Sequence, residues 1–258
     1  MKRARSALLV VLALLTTQIV VGRDLATVWL ATTPEMGAFL SDDDPDLADQ
    51  GWLAVSHSVL AGVDALSQTA LEGGLVAGVR IEGAWQHTGA PGSPWREDRI
   101  RGRLGRRGWP VALIGLRRSV RAAGTVWPGS WEVALQPIVA PGPGVRIIAR
   151  IPLAEVTRPW TTWGGEPRLA LALRSQWTLG TLALVDGAAG EPALRCQGWL
   201  RFGTGIGLGA GWDGSTGETA LLIAVRRGGL LLRSRHAVHP LLGLEHGWQV
   251  GWVGDLGR

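Results

Sequence analysis

From Trp52 onward the chain alternates with a period of two. Leu75, Ala77, Val79, Ile81, Gly83 and Trp85 fall on one face, and Val76, Gly78, Arg80, Glu82, Ala84 and Gln86 on the other. Alternation over this length marks a half-buried strand. The pattern recurs. Ile100, Gly102 and Leu104 alternate with Arg99, Arg101 and Arg103; Trp131, Val133 and Leu135 with Glu132, Ala134 and Gln136. Val145, Ile147, Ala149 and Ile151 alternate with Arg146, Ile148 and Arg150, and Leu169, Leu171 and Leu173 with Arg168, Ala170, Ala172 and Arg174. Leu194, Cys196, Gly198, Leu200 and Phe202 alternate with Arg195, Gln197, Trp199 and Arg201. Turn-forming residues separate the runs at Gly89–Pro94, Pro128–Gly129, Pro141–Gly144, Gly164–Pro167, Gly187–Pro192, Gly203–Gly205 and Asp213–Gly217. Later strands are predicted over Ile206–Trp212, Thr219–Arg226, Leu230–Val238 and Trp248–Val253. The runs predict an all-β chain of about 10–14 strands.

Alternation alone does not say what each face meets. In a sandwich the apolar faces meet each other; in a membrane barrel they meet lipid and the polar faces turn inward. Three features favour an antiparallel up-and-down transmembrane β-barrel over residues 51–258. Arginines recur on one face of successive strands, so Arg80, Arg101, Arg103, Arg146, Arg150, Arg174, Arg195 and Arg201 are expected to line the lumen. Tryptophans fall near strand ends, so Trp85, Trp109, Trp131, Trp177, Trp212, Trp248 and Trp252 are expected to form interfacial girdles, with Trp127, Trp160 and Trp163 similarly placed. Mean hydropathy is positive although no later apolar run is long enough for a spanning helix. The expected location is the outer membrane, in contact with its lipid. The alternative is a periplasmic β-sandwich or open sheet that acts as a binding module or secretion-system component, and a barrel enzyme is a third, remote reading.

The first residues fit an export signal. Lys2, Arg3 and Arg5 precede an apolar stretch, Ala7–Val21, broken by Thr16, Thr17 and Gln18, with Val20 and Gly22 at the −3 and −1 places of a cleavage site. Residues 1–22 are therefore expected to be a signal peptide; the rival reading is an uncleaved membrane anchor, against which the run is shorter than the roughly 20 apolar residues of a spanning helix and carries three polar ones. Residues 23–50 form an N-terminal segment ending in an acidic loop with Asp42, Asp43, Asp44, Pro45, Asp46 and Asp49. That loop lacks calcium-loop spacing.

The net charge of +5 lies partly in the signal, and Lys2 is the only lysine. The arginines are dispersed rather than clustered on one basic face, which argues against nucleic-acid binding. Cys196 is the single cysteine, so no intramolecular disulfide is possible.

Particular phrases carry a family resemblance. "PRLALALRSQWTLG", "PALRCQGWLRFGTGIGLGAGWD" and "GGLLLRSRHAVHPLLGLEHGWQVGW" follow one another through Pro167–Trp252, the last holding His239, Pro240, Leu242, Gly243 and His246. This order resembles the C-terminal half of PorV/PorQ-like outer-membrane barrels, which are related to the long-chain fatty acid transporters. "DDPDLADQGWLAVSHSVLAGVD" is similar to their N-terminal stretch, although Asp44, Pro45 and Asp46 stand where Asn-Pro-Ala is expected. The resemblance implies an outer-membrane location, and either secretion-system assembly with envelope partners or uptake of hydrophobic molecules.

No reacting centre is evident. Ser56, His57 and Ser58 are neighbours on a strand and so point to alternate faces. There is no G-x-S-x-G elbow. Gly203, Gly205, Gly207, Gly209 and Gly211 do not open a helix, so they do not form a dinucleotide fingerprint; they suggest a curved or closely approached wall. Of the histidines His57, His87, His236, His239 and His246, His236 and His239 are expected on opposite faces. A non-enzymatic protein without catalytic, cofactor or metal residues is expected.

Overall fold

The structure, a computed structural model, describes residues 50–60, 67–89, 93–106, 109–122, 124–156, 167–175, 177–186, 191–202, 205–241 and 243–255. The expected signal peptide, most of the acidic loop, Trp160 and Trp163 lie outside the described residues. The segments are β1 (Gln50–Leu60), β2 (Gln68–Ala77), β3 (Val79–Thr88), β4 (Trp95–Arg106), β5 (Val111–Ala122), β6 (Thr125–Gly142), β7 (Val145–Ala149) and β8 (Ile151–Val156). They continue as β9 (Pro167–Arg174), β10 (Thr178–Asp186), β11 (Pro192–Phe202), β12 (Ile206–Asp213), β13 (Glu218–Arg227), β14 (Leu230–His239) and β15 (Gly243–Asp255).

Along β1 to β6 and β9 to β15 each strand pairs antiparallel with the next, β7 pairs with both β6 and β9, and β1 pairs with β15 from Gln50↔Asp255 to Leu60↔Glu245. The ring is thereby closed. β7 and β8 are two halves of one strand, interrupted at Arg150, and both pair with β6. The result is a closed up-and-down barrel of 14 strands. A closed ring has no free edge and is not a sandwich.

Two connections differ from the sequence expectation. Residues 75–86 read as one run but form two strands, β2 and β3, joined by Gly78 alone at φ 68°. A one-residue turn pairs Ala77 with Val79. Odd-numbered residues therefore stay on the same face through the turn, and the alternation conceals it. Pro128–Gly129 reads as a turn but lies within the 18-residue β6. There the register shifts, with Arg118↔Ser130 followed by Val120↔Trp127. A bulge is where a strand tolerates proline.

The two faces are chemically distinct. Leu53, Leu75, Ile81, Leu104, Leu169, Leu221 and Leu230 all face outward and are exposed. Leu171 and Leu173 share that face with Leu169, while Ala170 and Ala172 between them are buried. Gly73, Gly83, Gly102 and Gly115 stand opposite one another across β2–β5 on the outer face.

The inner face is close-packed around Ile148, Leu179, Val185, Trp199, Leu222 and Leu231, with Trp52 and Ile138 against them. Trp199 is 0 % exposed and pairs directly with Gly209. A Cβ on Gly209 would sit 2.7 Å from Trp199 Cδ2, so the glycine gives the indole room to lie on the wall. Trp52 and Gly74 repeat the arrangement, with 2.7 Å from a Gly74 Cβ to Trp52 Nε1. This is the close approach that the alternating glycines suggested.

Candidate functional site

The inner face has two kinds of wall. Across β3–β8 it is built from arginines that share carboxylates. Glu82 accepts from Arg80 Nε at 2.8 Å and from Arg103 Nη1 at 3.3 Å, Arg103 being its direct partner on the next strand. Arg99 and Arg118 stand directly opposite each other, and Glu97 pairs with both, Arg118 Nη2 donating to Glu97 Oε2 at 2.9 Å. Glu132 pairs with Arg150 at 3.2 Å. Arg146 Nη1 donates to Val145 O at 2.9 Å. Glu97 and Glu132 are 3 % and 1 % exposed. An isolated carboxylate would not be buried so deeply, because desolvation favours neutralising it. Two guanidiniums on Glu97 and that of Arg150 on Glu132 offset that cost.

Of the arginines expected inward, Arg80, Arg103 and Arg146 are buried, and Arg101, Arg150, Arg174, Arg195 and Arg201 are half-buried. All lie on the face opposite the apolar rows. Arg99, Glu82 and Glu132 fall on the polar faces read from the alternation but are not among the expected lumen-lining residues, and Arg118, Arg233, Arg235, Glu72, Glu97, Glu218 and Glu245 are not picked out at all. Strand parity puts these residues on the inner face, but only the register shows which carboxylate meets which guanidinium.

The second wall runs through β11–β15 and β1–β2. It encloses a cavity of about 510 Å³ lined by residues including Ser56, Glu72, Arg195, Gln197, Trp199, Asp213, Arg233 and Gln249. Arg235 pairs with Glu218 and, at 2.8 Å, with Glu245. Arg233 lies 3.6 Å from Glu72, which also accepts from Gln249. Asp213 accepts from Ser215 N at 2.8 Å and Ser215 Oγ at 2.5 Å, closing the β12–β13 turn.

The tryptophans expected at interfaces sit in two groups. Trp85, Trp131, Trp212 and Trp248 lie on outer-face positions toward the end where residues 61–67, 157–166 and 214–217 connect strands. Trp109, Trp177 and Trp252 lie toward the opposite end. The Trp127 side chain is not among those described. The first group is mixed with histidines. Trp85 Nε1 donates to Asp98 Oδ1 at 3.2 Å, and His87 Nδ1 lies 2.9 Å from the same oxygen. His57 packs at 6.0 Å on Trp248 and lies 3.0 Å from Thr69 Oγ1. Ser56 faces the cavity and His57 faces outward, so the two form no dyad. Cys196 faces outward beside Trp212 and is half-buried. Among the described residues, no three histidine, cysteine or carboxylate side chains converge.

Large apolar side chains are exposed along the outer face of nearly every strand. A water-soluble monomer rarely exposes more than about 300–600 Å² of contiguous apolar surface. A closed ring satisfies every strand edge, as hydrocarbon requires. With its polar side chains turned inward, the chain is an outer-membrane β-barrel. No family model and no curated protein matches the sequence. Among solved structures, the chain is similar to a mutant of the Rh. blastica porin at 9 % identity, covering 80 % of this chain and 98 % of that one, with a TM-score of 0.41. It is also similar to the KdgM porin at 7 % identity, covering 80 % and 99 %, with a TM-score of 0.40. The assignment rests on the pairing ring and its apolar exterior.

Proposed function

We propose that this barrel is a non-enzymatic channel of the outer membrane whose inner wall favours anions. The observation that carries the reading is the β3–β8 wall. There Arg80, Arg99, Arg101, Arg103, Arg118, Arg146 and Arg150 outnumber Glu82, Glu97, Glu132 and its direct partner Glu155 on the inner face. Fixed positive charge in a low-dielectric wall concentrates anions. The remaining inward arginines, Arg174, Arg195 and Arg201, extend the lining. The tryptophan groups mark the two membrane interfaces. The short connections at Gly78, 143–144 and 228–229 lie at the same end as Gln50 and Asp255, the arrangement of a periplasmic end, which leaves the longer connections facing outward.

The test is conductance of the purified protein in planar bilayers under a salt gradient. The reading expects a reversal potential of the sign for anions, moved toward cation preference by Arg101→Glu. Cation preference in the unaltered protein, or no conductance, would overturn it. The PorV/PorQ-like resemblance extends the reading to secretion-system assembly or uptake of hydrophobic molecules. Its support is the quoted sequence phrases, and an envelope protein that co-purifies after mild extraction is the result that favours it.

A further inference from the structure

His236 and His246 are direct partners across β14–β15. Their Nδ1 atoms lie 2.9 Å apart and their rings meet edge to face, with centroids 5.1 Å apart and planes at 67°. Both side chains are exposed on the outer face. Trp248 lies two residues along β15 on that face, so the pair belongs to the interfacial zone, where water and lipid headgroups reach. The strands hold register from Leu230↔Trp252 to His239↔Gly243, which fixes the two backbones relative to each other. The other histidines do not join them. His239 Nδ1 accepts from Leu241 N at 3.1 Å, His57 Nδ1 is bonded to Thr69, and His87 is bonded to Asp98.

From this geometry we propose that His236 and His246 form a two-nitrogen chelate for Cu(II) or Ni(II) on the outer wall of the barrel. A metal at about 2.0–2.1 Å from each nitrogen would see nitrogens 2.9 Å apart at an angle of about 90°. That is the cis angle of a square-planar or tetragonal ion, the geometry that Cu(II) and Ni(II) take with nitrogen and oxygen donors. A tetrahedral Zn(II) ion needs the nitrogens farther apart. The remaining positions are open to water. Without metal, one Nδ1–H donates to the other ring. With metal, both Nδ1 lone pairs go to the ion and the donor ring carries its proton on Nε2, so a neutral pair binds without releasing a proton. The ion lies off the line joining the nitrogens, so each ring turns by about 45° from its hydrogen-bonded pose. Exposure on the outer face leaves room for that turn.

The test uses the untagged full barrel in detergent micelles, titrated with CuCl₂ near neutral pH and followed by electron paramagnetic resonance and calorimetry. The expected result is one bound ion with superhyperfine structure from two imidazole nitrogens. His236→Ala and His246→Ala should each reduce the signal to one nitrogen and weaken binding by about tenfold or more. His87→Ala and His239→Ala should leave both readouts unchanged. Unheated gel mobility verifies that each variant still closes its barrel. If the two-nitrogen spectrum survives His246→Ala, or no copper binds at tens of micromolar, the pair is a hydrogen-bonded pair only and the proposal fails. The site does not depend on conductance, so a barrel that binds copper and passes no current separates the two readings.

Discussion

Replacing Gly209 with alanine tests the inner-wall packing directly. A Cβ there would meet Trp199 Cδ2 at 2.7 Å, Trp199 Cε3 at 2.9 Å and Gly198 O at 3.0 Å. None of these is the free end of a flexible chain. Two are ring atoms of an indole that is 0 % exposed, and the third is backbone of the paired strand. Gly209 is not among the positive-φ glycines, so the backbone accepts an L-residue. Losing unfolded-state freedom therefore favours alanine by about 0.4–1 kcal/mol. Forcing a methyl into a filled wall opposes it by about 1–3 kcal/mol. The net expectation is destabilisation of about 1–2 kcal/mol. Gly115 is the matched control, since nothing lies within 4 Å of a Cβ built there and its outer face meets lipid. Gly115→Ala should be neutral or stabilising by up to about 1 kcal/mol. Urea titration of barrels folded into short-chain lipid vesicles, read by tryptophan emission, measures both. A Gly209→Ala barrel as stable as the parent would refute the packing account. A further check is a double-mutant cycle, in which Gly209→Ala should cost less in a Trp199→Leu background than in the parent because the clashing ring atoms are gone.

Other outcomes follow from the same wall and its exterior. Glu132→Gln leaves Arg150 without its carboxylate in a setting where Glu132 is 1 % exposed, and should cost about 3–5 kcal/mol in the same urea assay. Leu104→Arg, at a side chain 49 % exposed, would be nearly silent in a soluble protein; facing hydrocarbon it should cost about 2–4 kcal/mol. Its effect should be smaller in detergent than in a bilayer. The intact protein should migrate faster on gels before heating than after, and a chain ending before Gly243 should lose that difference because the β1–β15 seam that closes the ring can then not form.

The faces of the strands were legible because two different solvents select them. Lipid takes Leu169, Leu171 and Leu173, and the packed interior takes Ala170 and Ala172, so parity alone assigns each side. The strand number was harder. Gly78 hides a turn by preserving parity, and Pro128–Gly129 looks like a turn but sits in a bulge. Contacts between strands were not legible, because they depend on register. Arginine spacing marks a polar face, yet nothing local says that Glu97 bridges Arg99 and Arg118. The same limit applies to the histidines. His236 and His239 look close along the chain but occupy opposite faces, whereas His236 and His246, ten residues apart, touch.

The seam between β1 and β15 also bears on how the protein is made. Every other pairing joins segments within about 30 residues of each other, most of them as simple hairpins. The seam joins Gln50 to Asp255, so almost the whole chain must be delivered before it forms. Contact order is then concentrated in one late event, and the rate of closure should govern the rate of assembly. Until that event two bare edges exist, which hydrocarbon does not tolerate and which invite pairing with other chains. The edges of β1 and β15 stay bare until Asp255 meets Gln50, and the seam then removes both at once.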